Sequence, residues 1–116
     1  MASSDHLPKQ FYIVVVPFPY SDQLAEKRRP ALVISSNAFN KKHGLLWVLM
    51  ITSATNAKRP DDIALAANAK TGLPAASLIR PSKIATIEPE RVVRVAGRID
   101  ARTANAIQQR TMAVLA

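Results

Sequence analysis

The sequence predicts an α+β domain, a small twisted, barrel-like antiparallel sheet closed by a C-terminal helix. Three observations carry that expectation. Short runs of β-branched and aromatic residues recur between residues 11 and 99, separated by Gly, Pro and polar stretches. Residues 45–51, Leu-Leu-Trp-Val-Leu-Met-Ile, are apolar without a break, as in a strand covered on both faces. After Asp100 the apolar spacing changes from a strand period to a helical one. Several strands followed by one helix make a sheet with a helix packed on it.

The elements follow in order. Residues 11–16 read as the first strand, ended by Pro17 and Pro19, since proline cannot donate to a ladder. Residues 20–29 read as a long polar loop, and 30–35 as a second strand with Pro30 at its first position. Residues 37–44 are a polar turn, with room for one helical turn, closed by Gly44. The apolar run 45–51 is the central strand, one face of it open to cover by a second subunit. A buried helix is its rival, but the run is short and bounded by Gly44 and Thr52-Ser53. Residues 52–60 form a basic loop. Strands are expected at 61–66, 75–80, 82–87 and 91–99; in the last, Val93, Val95 and Ile99 share one face, with Arg94 and Arg98 on the other. Asp100 caps a helix over 101–115, whose stripe is Ala104, Ile107, Thr111, Val114 and Leu115. Residues 1–10 are expected to be a flexible tail without the apolar core of a secretory signal, and 11–116 a single domain.

Composition narrows the function. The chain has 116 residues, enough for one modest core, and a formal net charge of +8. Such an excess favours a nucleic acid or an acidic protein partner, against the plain alternative of a solvated basic surface. With no cysteine, disulfides and thiolate metal sites are excluded, which is compatible with an intracellular, cytoplasmic location. No stretch approaches the roughly 20 apolar residues of a membrane span. The two histidines, His6 and His43, share no ligand spacing, and Asp61 and Asp62 would point to opposite faces of a strand. No glycine-rich phosphate loop or nucleophile motif is present. No cofactor is expected.

What remains is arginine with hydroxyl. Lys27-Arg28-Arg29 runs straight into Pro30 and a buried-looking strand, so these cations are held at the rim of a sheet. Thr52 and Ser53 follow the central run, and Arg80 ends another strand. If those ends meet, they form a cationic, hydroxyl-lined cleft. A guanidinium holds phosphate by two hydrogen bonds and stabilises added charge on phosphorus. RNA brings its own nucleophile, the 2′-OH. Each residue alone also has a structural explanation, as a solvated charge, an ion-pair partner or a turn residue.

Residues 14–22, VVVPFPYSD, and 27–35, KRRPALVIS, resemble the PemK/MazF family of toxin endoribonucleases. Met50-Ile51-Thr52-Ser53 is similar to that family's second motif, and 71–74 with 77–83 to its third. The resemblance runs over about residues 11–116. It implies an SH3-like barrel with a C-terminal helix, a homodimer, and a cognate antitoxin whose acidic segment covers the RNA groove. It also implies metal-independent cleavage of single-stranded RNA by 2′-OH attack, leaving a 2′,3′-cyclic phosphate and a 5′-OH. On that basis Arg29 and Thr52 are the catalytic candidates. Lys27, Arg28, Ser53, Arg80 and Tyr20 are the RNA-binding candidates, and no metal ligand is expected. Three positions depart from the family pattern. Phe11-Tyr12 stands where members begin with Gly-Asp or Gly-Glu, Leu24 where some carry Glu, and Ser82 where members using the Arg80 equivalent carry an acid. The alternatives are a non-catalytic binder of nucleic acid or an acidic partner on the same fold, and a nuclease acting on DNA or tRNA.

Overall fold

The structure is a computed structural model that describes residues 7–18 and 27–116. Six antiparallel strands form one curled sheet in the order β4-β5-β3-β2-β1-β6, with β1 Tyr12–Phe18, β2 Lys27–Val33, β3 Leu46–Ser53, β4 Ile63–Leu65, β5 Ser77–Ile87 and β6 Arg94–Arg98. A short helix, α1 Asn37–His43, joins β2 to β3, and α2 Ala101–Leu115 ends the chain. The expected fold class holds. Among the described residues no helix is long and apolar enough to cross a membrane.

Alternation along the strands builds two cores. Ile13, Leu32, Leu49 and Ile51 face one side and pack with Ile79, Ile99 and Ile107 of α2. Val14, Val16, Ala31, Val33, Val48 and Met50 face the other, under Phe18, Ala85, Ile87 and Val92. The central strand is therefore covered on both faces by its own chain, and only Trp47 among its apolar residues is exposed. A second subunit is not needed to cover it.

Both helix termini chosen from sequence are built as expected. The carboxylate of Asp100 accepts from Thr103 N at 2.8 Å, satisfying one of the free N–H groups of α2. That bond is the main cause holding the Asp100 carboxyl below its ordinary value of 3.8. Gly44 ends α1 in the left-handed region at φ 64, its N–H bonded to Asn40 O. The stripe of α2 is shorter than expected. Ala104 and Ile107 pack on the core, but Val114 and Leu115 are exposed.

Several boundaries move, each for a stated reason. β1 does not stop before Pro17, which pairs in register with Arg28, and Phe18 pairs with Lys27. β6 accompanies β1 only to Val15, and β2 meets β3 only from Ala31, so residues 16–18 and 27–29 form a two-stranded extension beyond the sheet. Prolines are tolerated there because each strand has a free side. Pro30 is accordingly the fourth residue of β2, and the three cations lie on the strand and not in a loop. β5 is one strand of 11 residues where two were expected. Its register against β3 jumps between Leu49↔Ile84 and Met50↔Arg80, leaving Pro81, Ser82 and Lys83 as the irregular segment. β4 is only three residues, and β3 runs on through Ser53.

The alternation expected in the last strand fails. The β1–β6 register slips between Ile13↔Gly97 and Val14↔Val95, so Val95 turns outward while Ile99 stays buried; Val93 is exposed as well. Gln10, counted with the tail, donates from N to Asn37 Oδ1 at 2.8 Å and from Nε2 to Ile34 O at 2.9 Å. Phe11 follows with φ 69, where non-glycine residues are uncommon, its N–H bonded to Val33 O.

Candidate active site

Strand register assembles the site. Ala31 on β2, Met50 on β3 and Arg80 on β5 are cross-strand neighbours in one row. The β2–β3 pairing ends at Ala31↔Met50, and Arg29 and Thr52 each lie two residues beyond that pair on their own strand. Since side chains alternate, Arg29, Thr52 and Arg80 all project on the face that bears Ala31 and Met50. They line one cavity of about 140 Å³ together with Met50, Ile51 and Lys83. A neighbouring cavity of about 220 Å³ shares Arg29, Ile51 and Thr52 with it and adds Arg28, Ser53 and the segment 73–77.

The candidates separate accordingly. Arg29, exposed, and Thr52, half-buried, stand at the junction of the two cavities. Arg80 belongs to the first cavity, Arg28 and Ser53 to the second. Lys27 is exposed on β2 and lines neither. Tyr20 lies outside the described residues, as does Leu24.

Arg80 is buried, and it is held. Its Nε and Nη2 donate to Asp62 Oδ2 at 3.2 and 3.0 Å, and Nη2 also donates to Ala57 O at 2.8 Å. The acid that Ser82 does not supply thus comes from 18 residues earlier in the chain. Asp62 Oδ2 also accepts the Arg59 N–H at 2.8 Å, while Oδ1 is buried without a partner. With Oδ2 bonded to Arg80 and Arg59, and with Asp62 lining neither cavity, its part in the site is to hold Arg80 in place. It also offsets the Arg80 charge, which leaves Arg29 as the stronger source of positive potential at the cavity.

Thr52 has a partner too. Asn56 Nδ2 donates to Thr52 Oγ1 at 2.6 Å. The loop between β3 and β4 therefore supplies the supports of both side chains, Asn56 for Thr52, and Ala57 with Asp62 for Arg80. Asn56 was missed in the sequence, where it is one polar loop residue among several. Asp62 carried one signal, its place beside Asp61 with opposite facing, and the structure buries it while Asp61 is exposed. Among the described residues no three His, Asp or Glu side chains gather as a metal site.

The sequence matches, over residues 9–115, the family described as PemK-like, MazF-like toxin of type II toxin-antitoxin system. The chain belongs to that family. The fold agrees with solved structures at low identity. MazF from Deinococcus radiodurans superposes with a TM-score of 0.76 at 21% identity, over 96% of this chain and 98% of that one. A MazE-MazF structure from the same organism gives 0.75 at 24%, over 95% and 97%. An endoribonuclease in complex with its cognate antitoxin, from Mycobacterial species, gives 0.75 at 18%, over 93% and 94%. No curated protein matches the chain in sequence.

Proposed function

We propose that this PemK/MazF-family toxin is a sequence-selective endoribonuclease that cleaves single-stranded RNA in the cytoplasm. The observation that carries the reading is the convergence of Arg29, Thr52 and Arg80, from three strands, on one small cavity. In the proposed reaction the 2′-oxygen of one nucleotide attacks the adjacent phosphorus, and the bond from phosphorus to the 5′-oxygen breaks. The 2′-hydroxyl gives up its proton and the leaving 5′-oxygen gains one. The products are a 2′,3′-cyclic phosphate and a 5′-hydroxyl end. Negative charge builds on the non-bridging oxygens as the fifth bond forms, and Arg29 stabilises it. Arginine is too weak an acid to be the natural proton donor, so charge stabilisation is its role. Thr52 orients a non-bridging oxygen by hydrogen bonding. Arg80, held by Asp62, supplies a fixed donor edge, and Lys27, Arg28 and Ser53 bind the flanking backbone.

The net charge of +8 suits RNA and equally an acidic antitoxin segment laid over the same cavities. The Mycobacterial relative was solved with its cognate antitoxin and the Deinococcus MazF with MazE, which supports an antitoxin partner here. A homodimer is proposed through exposed Trp47 and the outer residues Met112, Val114 and Leu115 of α2.

The test is incubation with a single-stranded RNA and with its all-deoxy counterpart, both in chelator. Cleavage of the RNA alone, with a cyclic phosphate product and loss of activity in Arg29→Ala and Thr52→Ala, supports the reading. Cleavage that stops on chelation would sink the mechanism. Binding without cleavage by the unmodified chain would make the protein a binding module.

A further inference from the structure

Thr52 Oγ1 receives a hydrogen bond from the Asn56 amide nitrogen at 2.6 Å. An amide nitrogen offers only hydrogens, so the Thr52 oxygen is the acceptor there. A hydroxyl has one hydrogen of its own, and that hydrogen must then point elsewhere. The cavity beside it is lined by Arg29, Arg80 and Lys83, and a phosphate held by those cations presents acceptors only. A threonine can hydrogen-bond such an oxygen in one way, by donating.

Asn56 is itself fixed. Its N–H bonds to Ser53 O at 3.0 Å, closing a turn directly after β3. Within that turn Ser53 Oγ accepts the Thr55 N–H at 3.2 Å and pairs with Thr55 Oγ1 at 2.9 Å. Asn56 lines neither cavity, so its link to the site is the bond it makes to Thr52.

We propose that Asn56 is a positioning residue for cleavage, one that turns the Thr52 hydroxyl hydrogen toward the scissile phosphate. The inference rests on the nuclease reading above. It predicts an effect of donor chemistry at position 56 that size and packing would not give. Asn56→Asp has nearly the same shape, but its carboxylate only accepts, so it draws the Thr52 hydrogen away from the phosphate. Protonating that carboxylate restores a donor.

The experiment is single-turnover cleavage at saturating RNA by the full chain, the Asn56→Asp and Asn56→Ala variants, and each in a Thr52→Val background, from about pH 3.5 to 7. Binding of the all-deoxy strand is measured alongside, to separate charge repulsion from turnover. The expected result is a loss of about tenfold or more for Asn56→Asp at neutral pH, larger than for Asn56→Ala. Its rate relative to the unmodified chain should recover as pH falls through about 4, the ordinary range of an aspartate. In the Thr52→Val background the substitution should cost nothing further. Unchanged turnover in Asn56→Asp, a relative rate flat with pH, or an equal loss without the Thr52 hydroxyl would overturn the proposal while cleavage itself stands. An unmodified chain that leaves RNA intact would overturn the nuclease reading, and this one with it.

Discussion

Replacing Arg80 by alanine tests whether this arginine is chiefly a support or chiefly a reagent. The Asp62 side chain is 1% exposed and that of Arg80 11%, so solvent screens their ion pair very little. Arg80→Ala removes two of the three hydrogen bonds to Asp62 Oδ2, leaving the Arg59 N–H, and Oδ1 has no partner to begin with. Breaking a buried pair from one side costs about 3–5 kcal/mol, because the other charge is stranded. Against a total stability of about 5–15 kcal/mol for an ordinary domain, that loss is about a fifth or more. The assay is urea unfolding followed by far-UV circular dichroism. With a slope of about 1–3 kcal/mol per molar urea, the midpoint should fall by at least about 1 M. Asp62→Leu combined with Arg80→Met removes both charges and should restore most of the loss, since an apolar pair of similar volume is often neutral or stabilising. A single variant that loses less than about 1 kcal/mol, or a double variant as unstable as the two singles added, would refute the reasoning.

Three further outcomes are expected. Gly72→Ala should destabilise far more than Gly44→Ala: both glycines have positive φ, but a Cβ at Gly72 collides with the Ala96 carbonyl, whereas at Gly44 it meets open space and costs only about 1–2 kcal/mol of backbone strain. Thermal melts of the two side by side check this. Asp100, whose carboxyl is held below its ordinary 3.8 chiefly by the Thr103 N–H, contributes stability above that unfolded value and loses it as pH falls through the lower folded one; melts below about pH 4 should therefore fall more steeply for the unmodified chain than for Asp100→Asn. Arg29→Lys should lose about tenfold or more in turnover, because an ammonium keeps the charge but not the two-pronged donor, and unchanged single-turnover cleavage would refute a bidentate contact.

Much of this was legible in the sequence because strand parity is local. The two-residue period put alternate apolar residues of β1 to β3 into separate cores, whereas bringing Arg29 and Thr52 to one face also took the β2–β3 register, which the sequence does not show. Prolines misled for a specific reason. Pro17 and Pro81 sit where a strand has lost a neighbour or its register, and a sequence shows the proline but not the missing neighbour. Val95 was placed on the wrong face because one slipped residue in the β1–β6 pairing reverses the alternation. The supports of the site were out of reach altogether. Asp62 meets Arg80 across 18 residues, and Asn56 meets Thr52 through the shape of a loop, so neither leaves a period to read.

Phe11 carries a last consequence. Among the described residues the backbone enters the left-handed region at Phe11, Gly44 and Gly72, and only the first has a side chain to strain. Its ring packs, partly buried, on the core that also holds Ile13 and Ile107. Contact energy at this position thus works against backbone energy, so the severity of a substitution need not follow the size of the side chain removed. Alanine would keep the strain and forfeit the contacts. Glycine would forfeit the same contacts but relax the chain, and so do less harm although it is the smaller residue.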